Sequence, residues 1–104
     1  MPRVKHVVLL RFKPETPAPV IKEIFGALAG LKEEIPGILD FSGGAYSSHE
    51  GLNKGFTHGF VMTFADEASR NAYLPHPAHE VVKAQIWKVL DGGLDGVVAF
   101  DWLE

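Results

Sequence analysis

Residues 3–12, RVKHVVLLRF, put Val4, His6, Val8, Leu10 and Phe12 on one parity and Lys5, Val7, Leu9 and Arg11 on the other. As a β-strand this segment is apolar along one face except at His6, and apolar again through the middle of the opposite face. Such a strand has to be covered on both sides, which restricts what a chain of 104 residues can become. The same two-sided character returns in FTHGFVMTF at 56–64, where Val61 backs the face of Phe60, Met62 and Phe64. It returns again in GVVAFDWL at 96–103, where Val97 and Ala99 oppose Val98 and Phe100.

Two helical patterns separate the strands. Ile21, Ile24, Phe25, Leu28, Leu31 and Ile35 recur at helical spacing over 20–35, and Pro36 with Gly37 ends the run. Pro17 or Pro19 is tolerated at its entry because first-turn N–H groups have no helical partner. A second strand is expected from Ile38 to Ser47, with Gly43 and Gly44 marking a bulge or a close backbone approach. After the polar loop HEGLNKG and the third strand, Asp66 caps one or two helical turns. A longer helix runs from Pro77 to about Leu90, where the glycines of DGGLDG stop it.

The order βαββαβ is that of an α+β ferredoxin-like domain filling residues 1–104. It has an antiparallel four-stranded sheet with the first and third strands at its centre. Its helices cover one face of the sheet only. The other face, apolar in three strands, calls for a second copy packed sheet against sheet, so a homodimer is expected.

Composition excludes several function classes. A net charge of −3 and a pI near 5.9 leave no clustered basic face for phosphates, so no nucleic-acid partner is expected. The absence of cysteine removes disulfides, thiolate metal sites and a cysteine nucleophile. The apolar run before Arg11 is too short for a signal peptide or a membrane span, which points to a cytoplasmic protein without a membrane partner.

VKHVVLLRFK at 4–13, LKEEIPGI at 31–38, GLNKGFTHGFVMTF at 51–64, YLPHPAH at 73–79 and FDW at 100–102 together resemble the stress-responsive A/B barrel domain family. The resemblance covers nearly the whole chain. It implies a ferredoxin-like dimer whose two sheets form a shared α/β barrel, the same dimer that the two-sided strands call for. It also implies a link to a plant polyketide-cyclase branch, which closes a linear tetraketide by aldol chemistry. The catalytic histidine and tyrosine of that branch fall on His79 and Tyr73. Its pocket histidines match His6 and His58, and a pocket phenylalanine matches Phe25. Another aromatic of its substrate tunnel is replaced by Leu28. Some members carry magnesium on backbone carbonyls around LKEEIPGI, at the end of the first helix; no other cofactor is implied.

Read from the residues themselves, YLPHPAHE starts a helix with Pro77 as its first residue, His76 at the cap and His79 in the first turn. Val82, Ile86 and Leu90 share the stripe of His79, so its imidazole faces the sheet. A neutral, partly buried histidine beside a tyrosine can serve as a general base, with Tyr73 polarising a carbonyl. It can equally be a core histidine bonded to a backbone carbonyl. His6 and His58 interrupt apolar strand faces, each needs a partner, and on adjacent strands they can satisfy one another.

His6, His58, His76 and His79 are expected to converge on one cavity able to take a small apolar carbonyl compound, whereas His49 lies in a polar loop. His76, His79 and His58 fall short of a zinc ligand set, so no metal is assigned to side chains. Tyr73 as a core aromatic with its hydroxyl at the surface, and Asp101 as a partner for a group across the interface, complete the expectations. The chain is therefore read either as a cofactor-independent cyclase, lyase or isomerase, with a cofactor-free monooxygenase fitting the same cavity, or as a non-catalytic stress-induced or ligand-binding oligomer.

Overall fold

A computed structural model describes residues 2–104. The elements run β1 (Val4–Leu10), α1 (Ala18–Glu34), β2 (Ile38–Ala45), β3 (His58–Phe64), α2 (Glu67–Tyr73), α3 (Pro77–Val89) and β4 (Val97–Leu103), with a 3-10 turn at Gly93–Gly96. All pairings are antiparallel and the strand order is β2-β3-β1-β4, so the expected ferredoxin-like sheet is formed with β1 and β3 at its centre.

One parity of each strand faces the helices. Val4, Val8 and Leu10 of β1 and Phe60, Met62 and Phe64 of β3 meet Ile24, Leu28 and Leu31 of α1 and Val82 of α3 in one buried core. The opposite parity is open. There, Lys5 pairs with Trp102, Val7 with Phe100 and Leu9 with Val98, and Val61 lies beside Val7 on β3. Phe100 is 63% exposed and Trp102 46% exposed.

Asp66 caps α2 as expected, its carboxylate accepting from the Ser69 N–H at 2.8 Å. The glycine pair in β2 divides its two expected roles. The register shift lies earlier, between Ile38 and Asp40, because Leu39 is the inserted residue there. Gly43 instead marks a close approach: a methyl group there would lie 2.6 Å from Phe60 Cβ and 2.9 Å from Phe25 Cε1. The bare backbone at 43 lets α1 lay Phe25 across the sheet towards His58, whose ring centroid is 5.7 Å away.

Candidate functional site

Tyr73 ends α2 and is fully buried, its side chain turned into the core against Phe64. Its hydroxyl is therefore not at the surface, and no described residue hydrogen-bonds it. Burial pushes the phenol well above its ordinary range, so it remains a proton-bearing donor at any physiological pH. Pro75 and Pro77 then turn the chain so that α3 starts one short loop later and lays His79 flat on the tyrosine ring. The two centroids are 4.0 Å apart with 26° between planes.

His79 Nδ1 donates to the Leu74 carbonyl at 3.0 Å. A carbonyl only accepts, so the neutral ring carries its proton on Nδ1 and offers a lone pair at Nε2. Burial holds this imidazole below the usual histidine range, against the Leu74 hydrogen bond, which favours the charged form; Lys83 adds to the lowering.

His6 is the third member. It is 7% exposed, its ring stands edge-on to Tyr73 at 6.0 Å, and Nδ1 lies 2.6 Å from Asp101 Oδ1. Asp101, expected to serve a group across an interface, has partners within its own chain: it sits opposite His6 in the β1–β4 register, and Arg70 Nη1 binds its other oxygen at 2.9 Å. Burial alone would raise the Asp101 carboxyl, but the hydrogen bonds from His6 and Arg70 outweigh it and hold the carboxyl below its ordinary range. Asp101 and Arg70 were not assigned to the site from sequence. A signal was present: Asp101 is a carboxylate at the inward parity of Val97 and Ala99, where an ion needs a partner.

The other histidines are elsewhere. His6 pairs with Met62 and His58 with Leu10, so four residues of strand, about 13 Å, separate the two histidines, and they do not satisfy one another. His58 bonds Thr57 Oγ1 at 2.8 Å and packs with Phe12 and Phe25. His76 caps α3, its Nδ1 accepting from the Ala78 N–H at 3.1 Å. The convergence of four histidines on one cavity is thus replaced by a Tyr73–His79–His6 cluster and a separate His58–Phe25 cluster.

A cavity of about 670 Å³ lies at the His58 end, bounded by Leu9, Gly43, Tyr46, Leu52 and Phe56. A second, of about 290 Å³, lies against Ile21, Lys22 and Phe25, and a third, of about 170 Å³, sits between α1 and α3. Among the described residues no group of three or more histidines and carboxylates is arranged to hold a metal. At the end of α1 the Leu31 and Gly37 carbonyls accept from the Ile35 and Ala65 N–H groups, so a magnesium ion there would have to share them. No helix is long and apolar enough to cross a membrane.

The depressed titration of His79 has a consequence for stability. Between the ordinary histidine value of 6.5 and the lower folded value, the unfolded chain binds the proton and the folded chain does not. The contribution of His79 to stability is therefore fully present above about pH 7 and is lost as pH drops through 6.5 towards the folded value. His58, also lowered by burial, adds to the same loss. Urea unfolding of wild type and His79→Gln between about pH 7.5 and pH 5 should show a shallower decline in the variant, with Asp101 contributing only near its own acidic range.

Comparison with known proteins agrees with this architecture. Residues 4–103 match the family model described as the Stress responsive A/B Barrel Domain. The stress-response A/B barrel domain-containing protein At5g22580 of Arabidopsis thaliana is 35% identical over 88 residues, covering 84% of this chain and 77% of that protein. Olivetolic acid cyclase of Cannabis sativa is 32% identical over 76 residues, covering 73% of this chain and 75% of the cyclase. Among solved structures, a dimeric ferredoxin-like protein of unknown function from Jannaschia sp. CCS1 superposes with a TM-score of 0.86 at 30% identity, covering 96% of this chain and 97% of that one.

Proposed function

The chain belongs to the stress responsive A/B barrel domain family, and on that premise we propose that it is a homodimeric, cofactor-independent enzyme of the cyclase or lyase type acting on a small apolar carbonyl compound. His79 Nε2 takes a proton from the carbon next to a carbonyl, and the Tyr73 hydroxyl donates to the carbonyl oxygen as negative charge gathers there. The enolate carbon attacks a second carbonyl of the same chain, and the proton held on His79 passes to the new alkoxide. Atoms balance, and no metal or redox partner enters.

One observation carries this reading. The Tyr73 hydroxyl is buried without a protein partner on a ring stacked against His79, and a fold gains nothing from an unsatisfied buried hydroxyl. The similarity to a relative named olivetolic acid cyclase supports a polyketide-like substrate. The second copy packs on the open face of Val7, Leu9, Val98, Phe100 and Trp102.

A different observation favours a non-catalytic, stress-induced or ligand-binding oligomer: none of the three cavities is lined by Tyr73 or His79. Incubation with linear triketide and tetraketide thioesters, read by mass spectrometry, decides between the two. The enzyme reading expects accelerated ring closure that drops on the order of 10²–10⁴-fold in His79→Gln. Acceleration of none of them by wild type leaves the non-catalytic reading.

A further inference from the structure

Arg70 and Tyr73 lie three residues apart on α2 and so share one face of the helix. Arg70 reaches the carboxylate of Asp101 on β4, with Nη1 at 2.9 Å from Oδ2, while Glu67 stands 3.8 Å from Nη2. The remaining oxygen, Oδ1, receives His6 Nδ1 at 2.6 Å. All three side chains are largely withdrawn from solvent. A guanidinium only donates and a carboxylate only accepts, so the order Arg70, Asp101, His6 has one hydrogen-bonding solution. His6 must carry a proton on Nδ1, and Nε2 is the ring nitrogen left to meet a ligand.

We propose that Arg70 and Asp101 are positioning residues that lock the tautomer of His6, making His6 Nε2 a third proton-exchanging group beside Tyr73 and His79. The proposal rests on the proton-transfer reading of that cluster and deepens it. The lock is directional because Arg70 supplies only donors. In Asp101→Asn the amide oxygen has to face Arg70, its NH₂ then faces His6, and Nδ1 is forced to accept. The ring proton moves to Nε2, and His6 loses its lone pair on the ligand side. Placing a catalytic imidazole in the wrong tautomer in this way costs about 10⁴-fold in the serine-protease triad.

The test reads the ring nitrogens of His6 by ¹⁵N NMR at about pH 9, where imidazoles are neutral. The lock predicts an Nδ1–H tautomer in wild type, an Nε2–H tautomer in Asp101→Asn, and a return towards Nδ1–H in Asp101→Asn/Arg70→Met, where the amide is free to turn. An Asp101→Asn protein that keeps Nδ1 protonated overturns the proposal, and so does a double variant that stays inverted. If Asp101→Asn does not fold, Arg70→Met carries the test. Loss of the clamp should let the Nδ1 proton exchange with solvent faster than in wild type, and unchanged protection overturns the proposal. These readouts use no substrate, so they can fail while the cyclase activity stands, or stand while it fails.

Discussion

Tyr73→Phe is expected to make the protein more stable, by about 1–2 kcal/mol, while removing the ring-closing activity proposed for it. The two effects have one origin. The wild-type hydroxyl is buried with no hydrogen-bond partner among the described residues, so folding strips it of water and returns nothing. Phenylalanine keeps the ring on Phe64 and on His79, where the centroid separations are 5.0 Å and 4.0 Å, and removes only the oxygen. A small void left by that oxygen reduces the gain without reversing it.

On the chemical side, loss of one donor aimed at a developing oxyanion costs on the order of 10²–10³-fold in turnover. A purely structural tyrosine predicts the reverse signs: lost stability and no activity to lose. Urea midpoints must be compared at one protein concentration, since a dimer's stability depends on it. A Tyr73→Phe protein less stable than wild type would mean that the hydroxyl does find a partner in solution, and the site would lose its main support.

Much of this was legible in strand parity and helix phase. The inward set Val4, His6, Val8, Leu10 and Phe12 is buried as its alternation requires, and His79 turns to the sheet because Val82 and Ile86 share its stripe. Parity, however, says which face a residue occupies and nothing about where along the sheet it lies. His6 and His58 share a face, but the β1–β3 register sets them at opposite ends of it. Register also hid Asp101, whose role appears only once β4 is aligned so that 101 meets 6. Cap chemistry cut the other way for His76: as the N-cap residue of α3, it has its Nδ1 spent on the Ala78 N–H.

Phe100→Glu is expected to convert the protein to a monomer at micromolar concentration. On the open face Phe100 is paired with Val7 and flanked by Trp102 at 6.5 Å, with Leu9 and Val98 one pair further on. Burying Phe100 against a second sheet contributes about 1.5–3 kcal/mol, and a carboxylate in its place has to be desolvated without a cation opposite. In a two-fold dimer every substitution occurs twice, so the two losses together exceed about 4 kcal/mol, or roughly a thousandfold in dissociation constant. The nearest cation on that face, Lys5, is already held 3.0 Å from Thr63 Oγ1 and 4.0 Å from Glu104. Sedimentation velocity across about 1–100 µM checks this. Wild type should run as a dimer throughout and the variant as a monomer over most of the range. A Phe100→Glu protein that remains dimeric at 1 µM would move the interface away from the sheet and leave its apolar face without a cover, while a wild type that sediments as a monomer would remove the dimer itself.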